Sequence, residues 1–275
     1  MRKNIDNAIT KYRYSAILLR QLVITEFKLR YQGSVLGYLW SLMRPLFLFL
    51  IMYVVFVYFL KIGGDVPFWP VQLLLGIVLW NFFAEVTNNG ITSVVERGDI
   101  IRKINFPKYV IILSSAISAF INLLINLTVI LVFMLISGVH LHVGMLLAPI
   151  FIFEIFAFAI GISFLLSAVF VKFRDINYIW EIVMQGLFYG SVVIYPITMV
   201  MERGGHFAQI LLLNPVAQSI QDARHALVSP EAHTLFGLTG GNIWVSLIPV
   251  LIVILVSVFG IFVFKRQAPS FAENV

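Results

Sequence analysis

A chain of 275 residues that is 60% hydrophobic, only 12% charged and +6 in formal net charge is no ordinary soluble domain, where charged residues make up roughly 25%. Its mean hydropathy of +0.97 leaves more apolar surface than so few charges could screen from water, so the bilayer is its expected solvent. Without cysteine it has no disulfide, no thiolate metal site and no cysteine nucleophile.

The N-terminus is basic but lacks a short apolar core followed by a small-residue cleavage site, so no signal peptide is expected. Residues 10–31 are too charged to span. On a helical wheel Leu18, Leu22 and Leu29 share one side, Arg13, Arg20 and Lys28 lie opposite, and Ile17 and Ile24 sit among the charges. This pattern predicts an interfacial helix in the inner leaflet with its basic residues towards anionic headgroups; a solvated basic tail is the plainer alternative.

Spanning needs about 20 apolar residues, and six stretches qualify, at about 35–60, 69–93, 109–139, 143–171, 176–200 and 243–264. The second, fourth and fifth each hold one carboxylate (Glu85, Glu154, Glu181), and the first holds Arg44. Fifteen of the 19 Lys and Arg fall on one side if the N-terminus is cytoplasmic, which places both termini inside. The predicted architecture is therefore an all-α integral membrane protein, one transmembrane domain over 1–275. It divides into a cytoplasmic tail and interfacial helix (1–34), spans one to five (35–200), short extracytoplasmic helices (201–241), a sixth span (242–264) and a cytoplasmic tail (265–275). The 201–241 region contains "HFAQILLLNPVAQSIQDARHALV", too apolar for a solvated loop but split by Asn214-Pro215. It reads as short helices that either dip into the outer leaflet or cap the bundle.

No G-x-x-x-x-G-K-[ST] phosphate loop, G-x-S-x-G elbow or H-E-x-x-H motif occurs. The five histidines (His140, His142, His206, His225, His233) all fall on the predicted outer side without a third ligand for a metal. The first cytoplasmic loop, "ERGDIIRKINFPKY" (Glu96 to Tyr109), is short and amphipathic. Asp99 suits a helix start, Arg102 and Lys103 its polar side, Ile100, Ile101 and Ile104 an apolar side, and Phe106-Pro107 a stop. Such a helix fits a groove on another protein, or is simply an interfacial loop.

With "RYQGSVLGYLWSLMRP" at the start of the first span, "IIRKINFPK" and "VKFRDINY" in the two cytoplasmic loops and "NPVAQSIQDARHAL" near the end, the chain resembles, over nearly its whole length, the membrane subunit of type-2 ABC exporters. The resemblance is to the branch that exports polysaccharides and teichoic acids (O-antigen, capsule, polyol phosphate). It implies a half-transporter in a bacterial or archaeal cytoplasmic (inner) membrane. A homodimer of this chain would pair with two copies of a separate nucleotide-binding ATPase. ATP and Mg would be bound by that partner and no cofactor by this chain, and the cargo would be a lipid-linked glycan polymer; no nucleic-acid partner is expected. The resemblance puts Asp99, Ile100, Ile101, Arg102, Lys103, Phe106 and Pro107 at the contact that couples to the ATPase, with Arg174 and Asp175 at a second contact.

Gly33 and Gly37 would allow an interfacial helix to turn sharply into the first span. Arg44 lies about 10 Å into the apolar run and either snorkels or faces an aqueous path towards an anionic substrate. In that span Trp40, Phe47 and Tyr58 fall on one helical face, and Phe49, Tyr53 and Phe56 on the opposite one. The fifth span adds Tyr178, Trp180, Phe188, Tyr189 and Tyr195. Aromatic faces stack on the C–H faces of sugars, though lipid contact is as common a role. Asn81, Glu85 and Asn88 or Asn89 form a polar stripe that should face the bundle interior or a channel. The candidate substrate path is thus Trp40, Arg44, Phe47, Tyr53, Asn81, Glu85, Phe188, Tyr189 and Tyr195. Export of a drug or simple lipid, proton-coupled transport through Glu85 and Glu154, and an integral membrane enzyme are the rival readings. The last lacks an acid, base and nucleophile cluster, and proton coupling would call for internal repeats, which are not seen.

Overall fold

The computed structural model describes residues 14–26, 28, 37, 39–104 and 106–274, almost all helical and with no strand among them. The first helix, α1, covers residues 14–26. Then come α2 (Leu39–Met52), continued by a wider π-helical stretch (Tyr53–Phe59), α3 (Trp69–Glu96), the short α4 (Gly98–Lys103) and α5 (Tyr109–Ile136). A 3₁₀ turn (Val143–Leu147) leads into α6 (Ala148–Lys172), followed by α7 (Ile176–Gly190). Short helices α8 (Ile197–Met201), α9 (Gly205–Leu211), α10 (Pro215–Leu227), α11 (Leu235–Leu238) and α12 (Ile243–Ser246) precede α13 (Ile248–Gln267) and α14 (Phe271–Asn274).

Five segments are long and apolar enough to cross a bilayer: Leu39–Phe59, Trp69–Glu96, Tyr109–Ile136, Val143–Lys172 and Ile243–Glu273. They match expected spans one, two, three, four and six. The chain is a multi-pass membrane protein. The expected fifth span is different. α7 has only 15 residues, about 22 Å of helix, short of the roughly 30 Å hydrocarbon core. After it Val192 adopts a left-handed φ of 55°, and residues 191–194 run buried and irregular up to Tyr195-Pro196.

α3 is the centre of the bundle: 78% of its most apolar window is buried, against 11% for the Leu39–Phe59 segment. It packs on α5 and α6, and α6 packs on α13. Small residues set these crossings. A methyl on Gly260 would lie 2.1 Å from the Gly161 carbonyl, and one on Gly90 would lie 2.5 Å from Ser163, so the helices touch backbone to backbone. The Ser163 hydroxyl spans the α3–α6 crossing by donating to the Val86 carbonyl at 3.1 Å, and Ser257 ties α13 to the Ala157 carbonyl at 3.1 Å. In a medium with no hydrophobic drive between helices, such close packing and hydrogen bonding hold the bundle together.

In α1 Leu18 and Leu22 are half-buried while Ile17, Arg20 and Ile24 are exposed, and Lys28 beyond it is exposed too. Arg13, Leu29 and Gly33 lie outside the described residues. Gly37 has a φ of +48°, a conformation that suits glycine at the turn into α2. Asn214 caps α10 through its side-chain oxygen, which accepts from the Val216 amide at 3.1 Å, and Pro215 fills the first helical position. α10 packs on α6 and α3, and ten of its 13 residues are buried, so it plugs the bundle.

Candidate functional site

A cleft of about 460 Å³ opens between α2, α3 and α5. α2 supplies Trp40, Ser41, Arg44 and Pro45; α3 supplies Asn81, Glu85, Asn88 and Asn89; α5 supplies Asn122 and Asn126. The four α3 residues recur at three- or four-residue spacing, which puts them on one face. Asn122 donates its side-chain amide to Glu85 Oε2 at 2.9 Å, and Asn126 donates to the Asn122 carbonyl at 2.9 Å, so α3 and α5 share one polar network. Five amides, a carboxylate, a guanidinium and an indole surround one space within helices that are otherwise apolar. The lining can donate to and accept from a hydroxyl-rich ligand while a ring lies against Trp40.

Of the expected path residues, Trp40, Arg44, Asn81 and Glu85 meet here; Asn122 and Asn126 join them, and the sequence reading had passed over both. Their signal was present: two asparagines four apart, continuing the face of Ser115 and Ser118 in an otherwise apolar stretch. The remaining path residues lie elsewhere. Phe47 and Tyr53 are exposed on α2, while Phe49 packs edge-on against Phe133 at 6.0 Å, so the Phe49–Phe56 face is partly taken up by packing. Phe188 packs on Trp80 at 5.4 Å, and the Tyr195 hydroxyl donates to the Tyr189 carbonyl at 2.6 Å. Tyr189 is exposed, as are Tyr178, Glu181 and Gln185 on α7. An exposed carboxylate and amide are unsuited to lipid, so this face of α7 calls for a polar or protein neighbour.

At one end of the bundle, α4 is anchored and displayed at once. Ile101 and Phe106 are buried in a cluster with Phe164, Val171, Phe264 and Phe271. Asp99, Arg102, Lys103 and Ile104 are exposed, Ile100 and Pro107 half-buried, and Asp99 and Arg102 are 3.5 Å apart. Ile101 and Phe106 therefore fix the helix to the bundle, and the charged residues with Ile104 are left to meet a partner. Arg97, just before α4, makes an ion pair with Glu26 of α1 at 2.9 Å and donates to the Ser114 hydroxyl at 2.8 Å. The sequence gives no local sign of that link, because its ends are 71 residues apart. Arg174 and Asp175 are both exposed before α7, the Arg174 guanidinium over the Phe170 ring at 5.1 Å.

The opposite end is organised by Arg224 of α10, which is fully buried. It donates to the carbonyls of Gln72 (3.0 Å), Val192 (2.8 Å) and Val193 (2.8 Å), and its guanidinium lies 5.2 Å from the Trp69 ring centre. A methyl on Gly76 would come within 2.5 Å of its Nη2, so that glycine makes room for it. Burial lowers its pKa to about 9, which keeps it charged at neutral pH. The broken fifth segment has its reason here: the irregular backbone after α7 presents two carbonyls to this cation.

Two residues earlier on α10, burial raises the Asp222 carboxyl to about 6, opposed by a hydrogen bond from Gln218 and by nearby His225. Glu154 of α6 lies beside the same group. With the unfolded-state value near 3.8, folding becomes less favourable as pH rises from about 4 to about 6, and the penalty of up to about 3 kcal/mol is fully present above that window. Asp222→Asn is expected to raise the thermal midpoint at pH 7.5 and to flatten its decline between pH 4 and 6. Thermal shift measurements on the detergent-purified protein check this, and an unchanged profile would refute it.

Residues 17–228 match the family described as ABC-2 type transporter. The O-antigen export system permease protein RfbA of Myxococcus xanthus is 26% identical over 267 residues, covering 96% of this chain and 97% of the relative. A protein of the same name from Klebsiella pneumoniae is 28% identical over 270 residues, with the same coverage. The polysialic acid transport protein KpsM of Escherichia coli is 21% identical over 222 residues, 79% of this chain and 83% of its own length. The family match covers most of the bundle, α10 and its Arg224 included, and on it the chain belongs to the ABC-2 type transporter family.

Proposed function

We propose that the chain is the membrane-spanning subunit of an ATP-driven exporter that carries a lipid-linked polysaccharide or teichoic acid-type polymer out across the cytoplasmic membrane. The observation that carries this reading is the cleft between α2, α3 and α5, where amides, Glu85, Arg44 and Trp40 offer hydroxyl and ring contacts inside a bilayer-spanning bundle. Near full-length similarity to permeases named for O-antigen export supports the same cargo class. The chain has no phosphate loop, and its exposed Asp99, Arg102, Lys103 and Ile104 suit docking on a separate ATPase that binds ATP and Mg. The polar outward face of α7 (Tyr178, Glu181, Gln185, Tyr189) supports pairing with a second copy, so that the path runs between two chains. In this reading both termini, α4 and Arg174–Asp175 face the cytoplasm.

Purification of the tagged chain from its native membrane is the test. The expected outcome is co-purification of a stoichiometric nucleotide-binding protein with vanadate-sensitive ATPase activity. A cysteine introduced at Ile104 should cross-link to that subunit, whereas one at buried Ile101 should not. A chain that arrives alone, under conditions that keep such complexes intact, would overturn the reading.

A further inference from the structure

A second cavity, of about 600 Å³, lies where the cytoplasmic ends of α5, α6 and α13 meet. Its walls are apolar: Leu113, Ile160, Phe164, Ile261 and Phe264. Its polar rim is confined to one end, where Lys108 and Lys265 stand, and no carboxylate lines it. The lining runs from Ile261 to Pro269, about 12 Å at 1.5 Å per residue, and faces Ile160 and Phe164 of α6. One leaflet of hydrocarbon is about 15 Å thick, half of the roughly 30 Å core. A slot that covers most of that depth, apolar along its length and cationic at one end, has the charge pattern of one lipid. We infer that it holds an anionic glycerophospholipid of the inner leaflet, its acyl chain between α6 and α13 and its phosphate at Lys108 and Lys265.

Charge selects this occupant. A zwitterionic headgroup would bring its own cation up to two ammonium groups that no acid offsets within the slot. A protein segment would bury backbone amides against walls that offer them no partner. Lys108 donates to the Ala268 carbonyl and lies 5.8 Å from the Phe271 ring, which fixes its position; Lys265 is exposed and carries the more adjustable contact. The location also gives the lipid a consequence. Phe106 and Pro107 form part of the slot, and Phe106 shares its packing cluster with Ile101 of α4. A bound lipid would brace the joint between α4 and α5, so the membrane's anionic lipid content would modulate coupling to the ATPase. The lipid is distinct from the exported polymer and its binding does not depend on which polymer is carried.

The test places a photo-cross-linking residue at Ile261 in the full-length protein with its partner subunit, in nanodiscs of phosphatidylcholine with a minority of phosphatidylglycerol. Adducts are identified by mass. The expected result is phosphatidylglycerol captured about fivefold above its share of the bilayer, the preference that one lysine at a membrane surface provides. Lys265→Ala should remove most of that enrichment, and the same cross-linker at lipid-exposed Leu255 should show none. Capture in proportion to bulk lipid, equal enrichment at Leu255, enrichment unchanged in Lys265→Ala, or a peptide adduct from the ATPase or from this chain would each overturn the assignment.

Discussion

Arg224→Met is expected to leave little folded protein in the membrane, although the substitution roughly preserves side-chain volume and removes a buried charge. Exchanging a buried ion pair for apolar residues is often tolerated, because both partners leave together. Here the partners are the backbone carbonyls of Gln72, Val192 and Val193, which no substitution removes. Gln72 sits inside α3, where its carbonyl keeps the helical amide four residues on, but the Val192 and Val193 carbonyls lose their donor; at about 1–3 kcal/mol each, the two cost about 2–6 kcal/mol, a large share of a typical 5–15 kcal/mol stability. Arg224→Lys should fall between, since one ammonium cannot serve α3 and the segment after α7 at once. Gly76→Ala should act through the same contact from the other side, because its methyl would occupy the guanidinium's place. Protein level in membranes and the thermal midpoint in detergent are the measurements. An Arg224→Met protein that accumulates normally with an unchanged midpoint would remove Arg224 from the centre of the fold.

That arginine also marks the limit of what could be read from the amino-acid string. The five long apolar segments were legible because bilayer thickness alone demands them, and Pro215 together with Asn214 signalled the α10 start through cap chemistry that is local in sequence. Arg224 looked like one more charge on the outer side. Its backbone partners are 31 to 152 residues away, and no periodicity announces a side chain that bonds to backbone. The fifth span was overestimated for the same reason: hydropathy over 176–200 registers apolar content and cannot register that residues 191–196 leave the helix to satisfy a cation. The α4 helix was visible as an amphipathic pattern, yet which isoleucine anchors it was not. Ile101 and Ile104 are equally apolar, and only the fold turns one inward and the other out. The cleft was half legible. The α3 stripe of Asn81, Glu85 and Asn88 showed itself by spacing, while its completion by α5 needed two helices to be placed side by side.

Glu85→Leu and Asn122→Leu are expected to depress polymer export while leaving the protein in the membrane. Both side chains line an open cleft, so their loss creates no closed cavity, and a leucine is compatible with the surrounding span. What is lost is one charge-assisted hydrogen bond between α3 and α5 and the hydroxyl-binding groups it orients. Hydrogen bonds to a charged group contribute about 1.5–3 kcal/mol, so occupancy of the cleft by a polyhydroxyl chain should fall about 10- to 100-fold. Glu85→Gln keeps an oxygen to accept from Asn122 and adds an amide donor, so it should retain more export than Glu85→Leu, which separates ligand contact from proton coupling. A proton-driven carrier would lose as much activity with Gln as with Leu, since neither titrates. Surface polymer is the readout, with protein level and ATPase activity of the purified complex as companions. Equal loss in both Glu85 variants would favour proton coupling, and wild-type export in Glu85→Leu and Asn122→Leu would take the cleft out of the transport path. Lowered export with intact ATPase activity would place the defect at the polymer and leave the α4 contact untouched, because the cleft and α4 are held by separate packing clusters at different depths of the bundle.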